Sequence, residues 1–419
     1  MILKNQIMFY NKKMDNKEVL FKNLTGKNEH LALKAANEVL NSHSNEEFIE
    51  YFALKFEFLF DFVQNNVKTR FEHVINNENY LNLLKFFKYY SYNLDDFVVS
   101  ILVKYANEDL TDKILEIFEA DNSSDIEKLY CAKYFYYIPD TLAIDALNKN
   151  AFCDFEPLML NCAQSLKEMN DYTGLELACQ KLETKDDFEV LKAVKFIVAF
   201  GDKKLADKLY EALKQSHMKE NIACEIPYLV DISDEIKQGK NEALFCFNCI
   251  IDGLGEILPL CEVFNYKIKQ IINYLSSKQN INQNEALVIL NTMLKFDLIT
   301  QNDEYTFDEN KNTKNELNEI QKIFENYNEE FKIQLKKILI KDIDLNSVFL
   351  TDTLNLISEL QILDAKNSLK KLLETSNDRI TCEIINTLKS INGLDNLNQE
   401  KILNKIVDNN IKAIVKSCF

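Results

Sequence analysis

The chain has 419 residues, more than one ordinary globular core accommodates, and 47% of them are hydrophobic, ample for folding. Only 7 Gly and 4 Pro argue against a sheet-rich fold and for helices joined by short turns. The net charge of −17, from 66 acidic and 49 basic residues without a Lys/Arg run, argues against a nucleic-acid footprint; it reads as a solvated acidic surface or as a face that steers a basic partner.

Residues 1–15 read as an unstructured extension, with Met14 as an alternative start. Gln6–Tyr10 is too short and too polarly flanked for a secretory h-region. No run approaches the roughly 18 apolar residues of a membrane span, so a cytoplasmic protein without a membrane partner is expected. Residues 16–297 read as a helical array. Two helices are predicted over 16–42. In 45–65, Phe56, Phe58, Phe60 and Phe62 alternate as in a strand, but Phe52, Phe56, Leu59 and Val63 form a helical stripe, and we read a buried helix. Segments 79–92, 94–106 and 109–119 predict further helix pairs.

From Ser124 to Leu213 three segments line up at a period of 31 residues, marked by Asp140, Asp171 and Asp202. Before each Asp stands an apolar stripe: Leu129, Ala132 and Phe135; Leu160, Ala163 and Leu166; Leu191, Val194 and Ile197. Steps of three stay on one helical face over two turns. After each Asp a second stripe follows: Ile144 and Leu147, Leu175 and Ala178, Ala206 and Leu209. Each unit reads as two short antiparallel helices. The Asp opens the second, where its carboxylate accepts free N–H groups and suits the positive helix end. Ser124 with Glu127 predicts a capping box, and Pro157 fits a first helical turn. One such pair cannot bury its apolar face alone, so neighbours must stack.

Residues 218–298 fit the period poorly, with helices predicted at 219–231, 238–252, 262–277 and 283–296. Gly253–Pro259 reads as a bent connection; lacking a third Gly and a preceding strand, it is no dinucleotide loop. Residues 298–317 are polar and acidic and read as a linker, with a small β-hairpin possible over Asp297–Phe307. Helix 283–296 with such a hairpin resembles a winged helix, but an acidic hairpin is a poor DNA-reading wing. Residues 318–419 return to helical repeats: Asp364 and Asp395 again stand 31 apart, behind Leu354, Ile357 and Leu360, and Ile385, Leu388 and Ile391. Here the stripe sits one residue closer to the Asp, which predicts a shorter turn.

These units resemble HEAT-like repeats, especially the short bacterial type of about thirty residues. The resemblance covers 124–213 and 350–408, and extends to Asn28–Ser42. The tetratricopeptide pattern of Trp, Gly and Tyr is missing, and the chain has no Trp. The resemblance implies an all-α fold, an α-α superhelix or solenoid of stacked antiparallel helix pairs. It also implies a protein-binding scaffold holding a protein or extended peptide. HEAT-like enzymes make a lyase or protein-modifying enzyme, acting in a concave groove, the alternative; a nucleic-acid-binding array is a third class. HEAT-like hydroxylases repeat His-Glu pairs as iron ligands, whereas this chain has only the reverse, Glu29-His30 and Glu72-His73. HEAT-like glycosylases use Trp-lined basic clefts, which this sequence does not offer.

The ten Cys form no regular framework and read as reduced core residues. Cys246 and Cys249, with Cys261, are the one metal-like spacing, but zinc needs four ligands and the segment ALFCFNCIIDGL is apolar and helical. No metal, cofactor or catalytic residue is expected. Two aromatic clusters, Phe86–Tyr92 and Tyr134–Tyr137, stand out. Their plainer role is to fill the space between units. Because Tyr suits interface hot spots, Tyr90, Tyr136 and Tyr137 are predicted to line a partner groove. Near-complete burial of these rings would end that idea.

Overall fold

The structure, a computed structural model, describes residues 28–41, 75–91, 93–253, 267–301 and 311–419, with single positions at 19, 22, 23, 53 and 56. Among these residues the fold is all-α, without a strand, and helices pack neighbour to neighbour as in an α-α superhelix. The N-terminal extension, all of the 45–65 stripe except Ala53 and Phe56, and the 254–266 connection lie outside the described residues. The chain divides into two compact units, Met1–Asp202 and Lys203–Phe419.

In the first unit, α1 (Glu29–Asn41) is followed by a 3-10 helix, Tyr80–Lys88, within the segment expected to be helical at 79–92. Then come α2 (Leu94–Leu102), α3 (Glu108–Glu119), α4 (Asp125–Tyr137), α5 (Ile144–Asn150), α6 (Glu156–Glu168), α7 (Thr173–Lys181) and α8 (Asp187–Phe200). Starts follow their caps. Asn107 accepts from the Leu110 N–H, Asp186 caps α8, and Ser124 and Glu127 form the expected capping box. Pro157 sits in the first turn of α6.

The first helices of successive repeats, α4, α6 and α8, lie side by side and parallel. Ala132, Phe135, Ala163, Leu166, Val194 and Ile197 are all fully buried between them. Leu129 is buried too, whereas Leu160 and Leu191 are half-buried. On α6, Leu158 and Met159 take the innermost place. Small residues let the backbones approach so closely that the buried Ser165 hydroxyl donates to the Ala132 carbonyl at 2.7 Å. From the middle of α8, Lys195 reaches Glu156 at the start of α6 at 2.6 Å, and Lys192 pairs with Asp154.

Second helices open as expected. Asp140 accepts from the Leu142 N–H at 2.9 Å, starting a 3-10 turn, Thr141–Ala143, that runs into α5. Asp171 accepts from the Thr173 N–H at 3.2 Å and from the Asn148 amide at 3.0 Å. Just before the Asp, the first helix stops in a left-handed residue: Asn170 at φ 55° and Gly201 at φ 76°. The stop satisfies the last carbonyls, with Asp171 N–H donating to Leu166 and Gly201 N–H to Ile197, both at 2.9 Å. Gly174 marks a close approach, because a Cβ there would stand 2.8 Å from the Phe196 ring.

The second unit begins with a 3-10 turn, Lys203–Leu205, and α9 (Ala206–Gln215), the second helix of the third repeat. It continues through α10 (Lys219–Glu225), α11 (Ile232–Lys237), α12 (Asn241–Asp252), α13 (Ile268–Ser276), α14 (Gln283–Gln301), α15 (Lys311–Glu325) and α16 (Glu329–Leu339). Two expectations change here. The helix predicted over 219–231 breaks into α10 and a 3-10 turn at Ile226–Tyr228, where Pro227 withholds an N–H. The hairpin or linker expected from residue 297 is helical through Gln301, and α15 already runs from Lys311; residues 302–310 lie outside the described residues. The helical spacing of Leu290, Met293 and buried Phe296 continues at Ile299, and an established helix outcompetes a two-residue alternation.

The C-terminal repeats comprise α17 (Leu350–Glu359), α18 (Lys366–Leu372), α19 (Asp378–Ser390), α20 (Gln399–Lys405) and α21 (Asn409–Cys418). Their first helices, α17, α19 and α21, again lie parallel. Thr351 donates to Glu383 at 3.1 Å, and the Cys418 thiol to Asn386 at 3.1 Å. Left-handed stops recur at Gln361 (φ 49°) and Asn392 (φ 53°), 31 residues apart. Asp364 and Asp395 do not cap a helix as Asp140 and Asp171 do. Asp364 lies inside a 3-10 turn, Leu363–Ala365, and Asn398 caps α20 by accepting from the Lys401 N–H at 3.0 Å. The reason is positional: the left-handed residue stands three places before each Asp here but one place before Asp171 and Asp202, so these carboxylates fall within the turn.

Gly201→Ala puts a Cβ into a left-handed residue and toward the Lys167 ammonium. It is expected to cost about 1–2 kcal/mol. Gly201→Asn, which tolerates this conformation as Asn170 does, is expected to cost less than the alanine. Urea denaturation midpoints of the two variants check the order.

Candidate partner-binding surfaces

Both aromatic clusters divide between core and surface. Phe86, Phe87, Tyr130, Tyr134 and Phe135 are buried. The Tyr130 hydroxyl donates to the Tyr89 carbonyl at 2.8 Å, and the Tyr134 hydroxyl pairs with Thr111 at 3.0 Å. These rings fill the space between helices. Tyr90, Tyr136 and Tyr137 remain 46%, 36% and 50% exposed. Tyr136 and Tyr137 are the last two residues to follow the buried Phe135 on α4, and their rings meet edge-on at 4.9 Å. Leu142 in the turn beyond is exposed as well, and so is Tyr172 in the equivalent turn of the next repeat. The Tyr172 ring lies 5.4 Å from Phe200 at the end of α8. Parallel first helices thus bring successive turns to one edge of the unit, and that edge is aromatic.

Tyr90 does not join them. Its ring packs edge-on against Phe155 at 5.7 Å, and Phe155 caps the N-terminus of α6. Tyr136 and Tyr137 stand at the opposite, C-terminal end of a first helix. A helix of 13 residues separates such ends by about 20 Å. The single groove expected of the three tyrosines is therefore a pair on one edge and a lone ring at the other.

Cys246 and Cys249 lie on α12 with their thiols in the core. Burial pushes both thiols up, and for Cys249 the Asp352 carboxylate adds to it. Protonated thiols are poor metal ligands and poor nucleophiles. Cys261 lies outside the described residues, among which no group of three or more His, Cys, Asp or Glu is placed to hold a metal ion.

A polar cluster that the sequence did not disclose sits beside these thiols. The Asn248 amide, fully buried, donates to Asp252 at 3.0 Å and to Asp352 at 2.9 Å. The Asn291 amide donates to the Asn248 oxygen at 2.9 Å and to Asp252 at 2.8 Å. The cluster ties α12, α14 and α17 together, and an edge-on contact of Phe245 with Phe349 at 5.3 Å seals it. Desolvation, with the nearby Asp252 and Glu220 carboxylates, pushes the Asp352 carboxyl up to about 7, against the pull of the Asn248 hydrogen bond. The one sequence signal was Asn248 and Asp252, a turn apart in an otherwise apolar run; the partner 104 residues on has none. Both hydrogens of each amide are engaged within the cluster, which acts as a brace.

The second unit also holds a cleft of about 310 Å³ between α16 and the turn after α17. Ile333, Lys336, Lys337 and Ile340 form one wall; Leu360, Gln361, Ile362, Leu363 and Asp364 form the other. The left-handed stop at Gln361 turns the chain away from α17 and leaves Leu363 exposed opposite the exposed Ile333.

No protein-family model matches the chain, and a search of curated proteins finds no match. No helix among the described residues is long and apolar enough to cross a membrane.

The brace carries a pH dependence. Near pH 3 and below, Asp352 is largely protonated whether the chain is folded or not. As pH rises toward 7 the unfolded chain ionises first, so stability falls across that window and levels off above it. Asp352→Asn keeps an acceptor for Asn248 and removes that loss. It is expected to stabilise the protein by on the order of 2 kcal/mol at pH 8 and to be near neutral at about pH 3. Thermal melts of parent and variant across this range check it, and an equal difference at every pH refutes it.

Proposed function

We propose that the chain is a non-catalytic cytoplasmic scaffold of HEAT-like repeats that holds another protein or an extended peptide. The observation that carries this reading is the aromatic edge of the first unit. Tyr136, Tyr137, Leu142 and Tyr172 stand exposed on successive turns at one end of the parallel first helices. Exposed apolar side chains gathered at one edge are unfavourable in water and characteristic of interaction sites. Tyrosine buries a large rigid surface on binding at low entropic cost. The regular stacking of helix pairs supports the resemblance, because it repeats the same exposed turn at a fixed spacing. The acidic surface favours a partner whose contact face is basic or neutral at this edge.

The test is affinity capture from native lysate, comparing the parent with a Tyr136→Ser, Tyr137→Ser and Tyr172→Ser triple variant. These side chains are exposed, so the melting temperature is expected to hold. A stoichiometric partner retained by the parent should be reduced at least tenfold with the variant, as for the loss of interface anchors. A partner retained equally by both, or only a turnover-dependent modified product, overturns the reading.

A further inference from the structure

The cleft of the second unit differs in charge from the chain around it. The chain carries −17, whereas the charged side chains lining the cleft are Lys336 and Lys337 against Asp364. Behind the other wall, α18 adds Lys366, Lys370 and Lys371. Several described lysines of this protein pair with its own acidic groups or donate to its carbonyls. Lys332 pairs with Glu329 at 3.0 Å, and Lys370 donates to the Asp395 carbonyl at 2.7 Å. Lys336 and Lys337, which line the cleft, make no ion pair among the described residues. Between them and the opposite wall lies an apolar surface formed by Ile333, Ile340, Leu360 and Leu363. Two unpaired ammonium groups beside an aliphatic floor complement a ligand that is apolar at its centre and anionic at its flanks. The volume is at the small end for ligand sites, about 300–1,000 Å³, which suits an anchoring side chain and not a whole cofactor.

We propose that this cleft docks an acidic peptide segment of a partner protein, which inserts a large apolar side chain between Ile333 and Leu363 and sets flanking carboxylates against Lys336 and Lys337. The proposal rests on the scaffold reading and gives it a second contact, of opposite charge preference to the acidic surface. A nucleic acid fits less well. The lining supplies aliphatic side chains in place of rings for base stacking, and Asp364 would face the phosphates.

The experiment is fluorescence polarisation of the labelled peptide DEELFDED with the full chain. Saturable binding is expected, weakened at least tenfold by Lys336→Glu with Lys337→Glu, and also by Leu363→Ser. Leu363 is exposed, so this second variant reports on the cleft even where the charge reversal disturbs folding. Raising the salt from about 50 to 500 mM should weaken binding, since exposed ion pairs are screened. Absence of saturable binding up to millimolar protein, equal binding of the basic control peptide KKKLFKKK, or displacement by a single-stranded oligonucleotide overturns the proposal. The Tyr136, Tyr137 and Tyr172 variant should bind DEELFDED as the parent does. If lysate capture through the aromatic edge succeeds while the peptide fails, only the cleft proposal falls. If the peptide binds while lysate capture fails, the edge falls and the cleft stands.

Discussion

The close parallel approach of repeated first helices is the constraint from which the rest follows. In the first unit it depends on small side chains at one position of the first two repeats. Ala132 and Ala163 leave α4 and α6 near enough for the Ser165 hydroxyl to reach a neighbouring carbonyl. That distance fixes the lateral offset of one helix on the next. Once the offset is fixed, helix ends align with helix ends. The turns then collect on one edge, and whatever residues the turns carry become a continuous surface.

The mixture of local and distant causes explains what the sequence disclosed. The Ser124 box, the early Pro157 and the Asp140 and Asp171 caps were legible because each involves residues within one helical turn. The apolar stripes were legible because burial recurs at every repeat. The helix stops were written in the sequence at Asn170, Gly201, Gln361 and Asn392, yet three of these are not glycine and carried no distinctive signal. Tyr136 and Tyr137 were legible as a pair because they are adjacent. Their separation from Tyr90 depends on which end of a stacked helix each occupies, a property of the assembled array. The brace at Asn248 was illegible for the same reason, since its partner belongs to a distant repeat.

Charge is distributed with similar logic. Lysines on one helix reach acidic groups on another: Lys133 to Asp95 and Asp96, both at 2.7 Å, and Lys240 to Asp207 at 2.8 Å. The exposed pairs among them contribute little each, typically under about 1 kcal/mol, whereas Lys133 and Asp95 are largely buried. Repeated along an array, they set register more than stability. The surplus of carboxylates is left to solvent and keeps like surfaces apart. At the cleft, two unengaged ammonium groups, Lys336 and Lys337, stand beside apolar side chains.

The Asn248–Asp352 brace separates the two units in how they form during synthesis. In the first unit each helix pair can settle on the one before it as soon as it leaves the ribosome. In the second, α12 emerges with an amide one of whose two acceptors is 104 residues away. At translation speeds of about 5–20 residues per second, that acceptor follows roughly 5–20 s later. During this interval the α12 face is incomplete and open to wrong partners. The C-terminal repeats therefore act as a closing clasp for the helices made before them.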